Sequence, residues 1–405
     1  MADGLPSPGD FAAQPDAATR GRWLESDRAH RPLRLARLRE RLVGEGLDAY
    51  FGVKPEHMRW LTGFSLAAGE EKVAGHSGQF LVGADRSTVV TDSRYTVQAR
   101  REVTDAVVDE IGYELPAAWP RLVGEIGARR VAVEAAAVSH ALWDRLQAAA
   151  PDVELVPVDG WVEAMRAVKT ADEVERIAAA CSVADRALAA LLPEIHAGVT
   201  EHDLALRLEW LIRTGGAEAL AFDVACLAGS EAALPHGAPG ARPVLDSSVL
   251  LFDFGAQVEG YRSDMTRTLF VGEPAERDLR VYDLVWRSQQ AVLDVLAARV
   301  AAGTVPDGHE LDELSRSVIE VDGTWSAYGH GLGHGIGLAT HEEPRLSRTA
   351  PLTPLPSPTV FSVEPGIYLE GETGVRIEDL VHLDVARGLV EILTAFPRDV
   401  MVLPA

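Results

Sequence analysis

The sequence predicts an α+β protein built from two domains, and three observations lead to this expectation. The chain has 405 residues, which is more than one hydrophobic core usually supports. In its first part, short apolar runs alternate with helical patterns, as they do in α/β domains. In its second part, strand patterns stand before and after a helical stretch at residues 277–320. That order predicts a curved antiparallel sheet with helices on one face.

The predicted elements divide the chain into three stretches. Residues 1–22 are rich in Ala, Pro, Gly and Asp, and we expect them to be mobile. Residues 23–160 hold the helical pattern RPLRLARLRERLVGEGLDAYF and the strand patterns QFLVGADRSTVVTDSRY and RRVAVEA, so they form the smaller domain. The pattern breaks near Gly160, and Thr170 and Glu173 then form a capping box ahead of an alanine-rich helix. Residues 161–405 therefore form the larger domain.

The composition argues against nucleic acid and membranes as partners. The formal net charge of -23 produces a field that repels phosphate backbones and anionic lipids. No apolar run approaches the roughly 18 residues that a membrane span needs, and the N-terminus lacks the basic start and apolar core of a signal peptide. The two cysteines, Cys181 and Cys226, form no CxxC pair, so we expect a cytoplasmic protein.

Two aspartates on an apolar hairpin are the first candidate site residues. In LLFDFGAQVEGYRSDMTRTLF, Glu259 and Gly260 form a natural two-residue turn, which places Asp264 opposite Gly255. Asp253 then projects from the same face as Asp264, within about 7 Å at the Cα level. Two carboxylates so placed repel each other unless a cation or a shared proton lies between them. The alternative is one exposed aspartate and one capped turn aspartate.

Two glutamates repeat this arrangement later in the chain. Glu364 in FSVEPGIY and Glu378 in GVRIEDLV are both flanked by residues that should be buried. The two share a face if the connection around Gly371 has an odd number of residues, or if Pro365 creates a bulge, since proline cannot donate to a central ladder. The sequence leaves both possibilities open.

Three closely spaced histidines are the next candidates. The segment YGHGLGHGIGLATHEEP contains His330, His334 and His341 among glycines at every second position, which lets other backbone approach closely. It does not satisfy the dinucleotide fingerprint GxGxxG. A single histidine here would more often be structural. Three histidines together with four strand-borne carboxylates favour a metal site with flanking acid and base groups.

This ligand set predicts both the metal and the chemistry. An imidazole with four carboxylates suits Mn²⁺, with Co²⁺ or Zn²⁺ as alternatives, and differs from the thiolate sets of structural zinc. Two divalent ions about 3.5 Å apart can share a water and lower its pKa enough to produce hydroxide at neutral pH. We therefore expect hydrolysis of an acyl or phosphoryl bond.

At these residues the chain resembles the pita-bread metallopeptidases, which include methionine aminopeptidase, aminopeptidase P and prolidase. FDFGAQVEGYRSDMTRT, GHGLGHGIGL with HEEP, SVEPGIY and GVRIED occur in the family's order, over residues 236–380. WLTGF and TDSRYTVQAR resemble the creatinase-type domain that precedes the catalytic domain in prolidases and aminopeptidase P, which argues against methionine aminopeptidase. The resemblance implies a C-terminal pita-bread (creatinase/aminopeptidase) domain behind a smaller α/β creatinase-type N-terminal domain. It also implies a homodimer.

The resemblance further implies roles for individual residues. The metal ligands would be Asp253 on one ion, His334 and Glu364 on the other, and Asp264 and Glu378 on both. The remaining roles would be substrate contact by His236 and His341 and a proton shuttle at Glu364. Substrate binding would also involve His330 and Arg376, which lie where the proline-specific members carry these residues. The chain departs from the family at Ala339 and Thr340, where an acidic residue and an aliphatic one usually precede the histidine.

The sequence therefore predicts an exopeptidase that hydrolyses the Xaa-Pro bond by means of a metal-bridging hydroxide. We expect an Xaa-Pro dipeptidase (prolidase), because RLSR places Arg345 and Arg348 on a loop beside the histidines, where a guanidinium on the buried side could bind the proline carboxylate of a dipeptide. A solvated Arg345 is the alternative reading of that residue. An Xaa-Pro aminopeptidase acting on longer peptides with proline in second position is the alternative function.

Two further alternatives share this fold. One is a pita-bread binding protein that has lost catalysis, and the other is metal-free hydrolysis of creatine. Both predict that one or more ligands are missing, whereas all five are present here.

Overall fold

The computed structural model describes residues 5–66, 77–112, 114–320 and 327–405. The chain divides into two compact units, which are described separately. The smaller unit is Asp16–Met165, and the larger unit is Arg166–Ala405 together with the segment that ends at Pro15. The boundary after Met165 lies near the predicted boundary after residue 160.

The smaller unit is one mixed sheet with helices. Its described strands are β1 (Ala49–Gly52), β2 (Gln79–Gly83), β3 (Ser87–Thr91), β4 (Val107–Glu110), β5 (Arg130–Glu134) and β6 (Glu154–Val158), in the spatial order β4-β3-β2-β1-β5-β6. Its helices are α1 (Ala17–Gly44), α2 (Pro55–Thr62), α3 (Thr96–Glu102), α4 (Leu115–Glu125) and α5 (His140–Ala149), and α6 (Trp161–Arg166) follows at its end. Phe51 and Trp119 pack edge to face in its core, with ring centroids 5.0 Å apart.

The residues before α1 have defined contacts within the larger unit. The Phe11 ring stacks on the Phe396 ring with centroids 6.1 Å apart, and Ser182 Oγ donates to the Ala12 carbonyl at 2.5 Å. Helix α1 begins at Ala17, where the Asp16 side chain accepts from the Thr19 amide at 2.8 Å. Mobility of residues 1–22 stays a prediction, and its first four residues lie outside the described residues.

The described residues of the larger unit contain four long α-helices, α7 (Ala171–Leu191), α8 (Glu201–Thr214), α9 (Glu276–Ala301) and α10 (Gly308–Ile319). The predicted capping box before α7 is confirmed, since the Thr170 amide donates to Glu173 Oε2 at 2.7 Å. The stretch predicted to be helical at residues 277–320 forms α9 and α10. No helix in the described part of the chain is long and apolar enough to cross a membrane.

The described strands of the larger unit form four sheets, whereas the sequence predicted one. The strands are β7 (Ala219–Leu220), β8 (Ala225–Ala228), β9 (Ser248–Phe254), β10 (Ala256–Val258), β11 (Tyr261–Arg262), β12 (Met265–Val271), β13 (Gly333–Gly335), β14 (Glu342–Leu346), β15 (Thr359–Val363), β16 (Gly366–Leu369), β17 (Thr373–Arg376), β18 (Asp379–Asp384), β19 (Leu389–Ile392) and β20 (Val402–Leu403). Their orders are β20-β12-β9-β8, β14-β13-β15-β18-β19, β11-β10-β7 and β16-β17.

Helix α9 packs against strands of both acidic hairpins. The apolar side chains of its first half share one core cluster with Phe270 of β12 and Val375 of β17. Those of its second half share another cluster with Phe361 of β15 and Val381 of β18. The helix between the two hairpins in sequence therefore supports them both in space, because its apolar residues recur at helical spacing.

Candidate metal centre

The first acidic hairpin has the predicted register. Glu259 and Gly260 both have positive φ, 48° and 81°, as a two-residue hairpin turn requires. The register continues along the ladder, where Asp253 is paired with Thr266. Asp264 therefore falls opposite Gly255, diagonal to Asp253 on the same face, as the turn predicted.

The second acidic hairpin resolves the choice that the sequence left open. Val363 pairs with Asp379 in one sheet, and Gly366 pairs with Arg376 in the next. The connection between β16 and β17 is the three residues 370–372, so the odd-numbered connection is the correct alternative. Glu364 and Glu378 therefore fall opposite each other.

Three of the four acidic residues lie where one strand ends and the next begins. Asp264 lies between β11 and β12, Glu364 between β15 and β16, and Glu378 between β17 and β18. At these breaks the backbone bonds elsewhere: the Glu378 amide donates to the Thr266 carbonyl at 3.1 Å, and the Glu364 amide to the Leu332 carbonyl at 2.8 Å. These backbone hydrogen bonds connect the two hairpins to each other and to the histidine segment, at the same positions where the predicted single sheet is interrupted.

Glycines let the histidine strand β13 lie against its neighbours. A Cβ atom at Gly333 would lie 2.0 Å from the Ser362 carbonyl oxygen, and one at Gly335 would lie 2.1 Å from the Glu343 carbonyl oxygen. Any larger residue would push these strands apart. This close approach confirms the prediction from the alternating glycines, and it brings His334 into the cluster of acids.

The orientation of His334 leaves its Nε2 atom facing carboxylates. Its Nδ1 lies 3.0 Å from the Gly335 carbonyl, which can only accept, so Nδ1 carries the proton in the neutral ring. Nε2 lies 3.3 Å from Glu364 Oε1 and 3.8 Å from Asp264 Oδ2. Burial lowers the pKa of His334, which favours that neutral ring. A lone pair that faces two carboxylates is stable when a cation lies between them.

The ligand atoms of Asp264, His334 and Glu378 all lie within 4.8 Å of one another. Burial raises the pKa of Asp264 and of Glu378 well above their ordinary values, and the neighbouring carboxylates raise both further. Burial likewise raises the pKa of Glu364. Glu378 Oε1 and Asp253 Oδ1 are buried and have no hydrogen-bond partner among the described residues. Divalent cations would fit this donor set, since they would neutralise the acids and ligate the unpartnered oxygens.

A hydrogen-bonded chain leads away from Asp253. Arg376 Nη2 donates to Asp253 Oδ2 at 2.6 Å, and Arg376 Nη1 donates to the Tyr368 hydroxyl at 2.7 Å. The Tyr368 hydroxyl lies 2.8 Å from His330 Nε2, which accepts because Nδ1 faces the Gly331 carbonyl. Arg376 and His330, both predicted to contact substrate, are thus linked through a tyrosine.

Sequence reasoning missed Tyr368. Burial raises the pKa of its hydroxyl to about 12, so it stays protonated and can donate. The sequence could have indicated Tyr368 by its spacing of four residues from Glu364, because residues an even number apart in an extended segment project from the same face.

The two other predicted histidines lie at the exposed side of the cluster. The His341 and His334 ring centroids are 4.2 Å apart, and both His341 and His236 are exposed. The pKa of His341 is lowered to about 4, chiefly because part of the ring is buried and also because His334 and His236 are close to it. At neutral pH the ring of His341 is therefore uncharged and still offers one N–H donor.

The structure corrects the predicted surroundings of Arg345. The residue lies on strand β14 and not on a loop, and it pairs in register with His334. Its side chain is 71% exposed and lies 3.3 Å from Glu343, so the expectation of a guanidinium on the buried side is wrong. The reason is that side chains alternate along β14, where Pro344 and Leu346 are buried and Arg345 between them projects from the exposed face. The predicted grip on a substrate carboxylate stays a prediction.

The cluster combines buried acids, of which Asp253 is paired with the buried guanidinium of Arg376, with neutral imidazoles. Burial disfavours the charged form of Arg376, but Tyr368 and the carboxylates of Asp253 and Glu364 outweigh it and raise its pKa. Such a set can hold divalent cations and can donate hydrogen bonds to an oxygen on which negative charge develops.

Two family models match this chain. The model of metallopeptidase family M24 matches residues 175–384, which include both acidic hairpins and the histidine segment. The model of the Creatinase/Prolidase N-terminal domain matches residues 34–168.

Individual proteins match over nearly the whole chain. A Xaa-Pro dipeptidase from Pyrococcus furiosus is 31% identical over 353 residues, which cover 86% of this chain and 94% of the relative. A solved Xaa-Pro dipeptidase from Bacillus anthracis has a TM-score of 0.82 at 30% identity, covering 92% of this chain and 100% of its own. A solved X-Pro aminopeptidase from Thermotoga maritima has a TM-score of 0.80 at 35% identity, covering 91% and 99%.

Proposed function

The chain belongs to metallopeptidase family M24 and is a prolidase-type enzyme with a Creatinase/Prolidase N-terminal domain, and we propose that it hydrolyses Xaa-Pro dipeptides. Family membership confirms the predicted fold class, a pita-bread catalytic domain behind a creatinase-type domain. It also confirms the predicted enzyme class. The observation that carries the proposal is the convergence of Asp264, His334 and Glu378 among buried carboxylate oxygens without partners in the described residues.

The proposed metal ligands are the five residues that the sequence predicted. Asp264 and Glu378 would be shared between two cations, Asp253 would bind the first, and His334 and Glu364 the second. The oxygen-rich donor set suits Mn²⁺, with Co²⁺ and Zn²⁺ as the alternatives to be tested. When bound, the cations would lower the pKa of a water and polarise the scissile carbonyl.

The protein's own groups account for the remaining steps. Glu364 is partly buried with a raised pKa and accepts from Ser362 Oγ at 3.0 Å, so it can take a proton from water and pass it to the leaving nitrogen. His341 and His236 would donate hydrogen bonds to the carbonyl oxygen as it gains negative charge. Arg376 holds Asp253 in position by a hydrogen bond from Nη2. The same guanidinium donates from Nη1 to the Tyr368 hydroxyl, which in turn contacts His330 Nε2.

The choice of dipeptides over longer peptides rests on two points. The Pyrococcus and Bacillus proteins are described as Xaa-Pro dipeptidases. Arg345 is opposite His334 in the β13–β14 ladder, where an exposed guanidinium could reach a substrate carboxylate that enters from solvent. The match to an X-Pro aminopeptidase at 35% identity supports the alternative, hydrolysis of longer peptides with proline in second position.

The experiment removes metal from the purified protein and reloads it with Mn²⁺, Co²⁺ or Zn²⁺. Hydrolysis of Gly-Pro, Ala-Pro and Ala-Pro-Ala is then measured, with Ala-Ala as the control without proline. We expect Mn²⁺-dependent cleavage of Ala-Pro with the highest kcat/KM. A higher kcat/KM for Ala-Pro-Ala would establish the aminopeptidase alternative. Absence of cleavage with every ion would favour the binding-protein alternative.

We also propose a cytoplasmic homodimer. The described cysteines Cys181 and Cys226 are both buried and unpaired, as in proteins of reducing compartments. Light scattering after gel filtration would test the dimer.

A further inference from the structure

A buried cluster of three charged side chains lies directly beside the candidate metal centre. Arg166 Nη2 donates to Glu342 Oε1, and Lys169 Nζ donates to Glu342 Oε2 at 3.1 Å. The three side chains are only 4%, 2% and 5% exposed in the order Arg166, Lys169 and Glu342. Two cations from the segment before α7 therefore hold one carboxylate that is remote from them in sequence.

The carboxylate also fixes the backbone of its own turn. The Ala339 amide donates to Glu342 Oε1 at 2.8 Å, and the Gly337 amide donates to the Ala339 carbonyl at 3.1 Å. A Cβ atom at Gly337 would lie 2.9 Å from each carboxylate oxygen of Glu342. The turn at residues 337–342 is thus closed around this carboxylate, and glycine is required to make room for it.

His341 lies within this turn, directly before Glu342. On its other side, the Thr340 hydroxyl accepts from Arg262 Nη1 at 2.9 Å. The backbone is therefore held on both sides of His341, while the ring itself reaches solvent beside His334. A fixed turn also fixes the Cα and Cβ atoms of His341, so less entropy is lost when the ring is placed against a substrate.

Net stability is a weak explanation for such a cluster. Removing charges from water costs about as much as their attraction returns, so a buried ion pair often adds little to the free energy of unfolding. What two cations on one carboxylate do provide is a defined geometry, because each hydrogen bond restricts the rotamer of Glu342. The residue that benefits is the preceding one in the chain, His341.

We propose that Glu342, held by Arg166 and Lys169, is a positioning residue that fixes the turn at residues 337–342 and thereby aims the His341 ring at the substrate. The inference rests on the proposed role of His341 in peptide hydrolysis. It assigns a function to three buried charges that are not among the proposed metal ligands and substrate contacts.

The first test compares Glu342→Gln with a matched control. Asp27 is also held by two buried cations, Arg31 at 3.1 Å and Arg34 at 2.7 Å, but it lies on α1 of the smaller unit. We expect Glu342→Gln to lower kcat on the best Xaa-Pro substrate by about 30- to 100-fold, with KM changed less than about threefold and metal content unchanged. Asp27→Asn should lower the melting temperature and leave kcat unchanged. Equal effects of the two variants on kcat would overturn the proposal.

Gly337→Ala tests the same idea with all three charges retained. Its methyl group must displace the Glu342 carboxylate, so we expect a loss in kcat of similar size. This variant also covers the case in which Glu342→Gln fails to fold. Wild-type kcat in Gly337→Ala would contradict the proposal.

A double-mutant cycle separates positioning from an independent role. If Glu342 acts through His341, then Glu342→Gln added to His341→Ala should cause less than about a twofold further loss. Multiplicative losses would show that Glu342 acts elsewhere.

A readout without turnover keeps this inference separate from the proposed function. In protein labelled with ¹⁵N-histidine, the His341 ring signals are assigned by their loss in His341→Ala. We expect them to shift or broaden in Glu342→Gln and Gly337→Ala, but not in Asp27→Asn. Unchanged His341 signals would refute the positioning role, whereas inactivity of the wild type toward every Xaa-Pro peptide would refute only the proposed function.

Discussion

Arg376 donates from Nη2 to Asp253 Oδ2 at 2.6 Å and so holds the carboxylate of a proposed metal ligand that is not among the three converging residues Asp264, His334 and Glu378. The contact joins strand β17 of the second hairpin to strand β9 of the first. It leaves Asp253 Oδ1 buried and unpartnered among the described residues, where a cation can use it.

This contact makes Arg376→Lys a sharp test of how the acids are supported. Lysine keeps the charge but lacks the planar guanidinium, whose separate nitrogens donate to Asp253 and to Tyr368 at the same time. We expect kcat/KM to fall by about 10- to 100-fold, together with weaker metal binding, as is typical when a group behind a metal ligand is lost. Metal titration and kinetics measure both effects. Tyr368→Phe should leave metal binding intact, and an Arg376→Lys enzyme with wild-type kinetics would contradict the assignment.

Asp264→Asn should remove nearly all activity and lower metal content. A neutral amide cannot balance cations as a carboxylate does, so the loss should exceed the about 100-fold typical of indirect metal supports. The metal-free fold should survive, because the substitution also removes a buried charge that repels Glu378. Elemental analysis and circular dichroism measure the two properties. Full activity in protein verified to hold no metal would refute the metallopeptidase mechanism.

Stability of the metal-free protein should depend on pH through the same acids. Burial and mutual repulsion raise the folded-state pKa of Asp264, Glu378 and Glu364 above their ordinary values of 3.8, 4.5 and 4.5. Between the ordinary and raised pKa values the folded state binds more protons, so stability is present below this window and is lost as pH rises through it.

Calorimetry of metal-free protein at pH 5 and pH 8 tests this dependence. We expect the melting temperature to fall by about 3 °C or more at pH 8, which corresponds to roughly 1 kcal/mol. Mn²⁺ should remove much of the difference. The difference in melting temperature between pH 5 and pH 8 should be smaller in Asp264→Asn. An equal difference in that variant would show that other groups cause the pH dependence.

Arg345→Ala should separate dipeptides from longer substrates. If the guanidinium binds the proline carboxylate, kcat/KM for Ala-Pro should fall about fivefold, since an exposed ion pair contributes up to about 1 kcal/mol. Ala-Pro-Ala should be barely affected. Arg348→Ala is the matched control, because Arg348 is similarly exposed but lies at 3.4 Å from Glu313 and from Glu320. An unchanged preference for Ala-Pro in Arg345→Ala would show that Arg345 does not bind the proline carboxylate.

The features predicted correctly from the sequence depend on neighbours in the chain. The Glu259–Gly260 turn determined which residues of the first hairpin face each other, because a strand alternates its side chains with a period of two. The alternating glycines around His334 indicated close backbone approach for the same local reason. The second hairpin required the structure, since counting residues from Glu364 to Glu378 cannot distinguish an odd-numbered connection from a bulge at Pro365.

By itself the sequence determined the acidic hairpins, the histidine strand and the family resemblance that they carry, since turn chemistry and strand period are local properties. Only the tertiary structure decided that Tyr368 links His330 to Arg376, that Arg345 is exposed on an edge strand, and that Arg166 holds a carboxylate 176 residues away. Such contacts leave no periodic trace in the sequence. They depend on which buried polar groups find partners once the sheets and helices have packed.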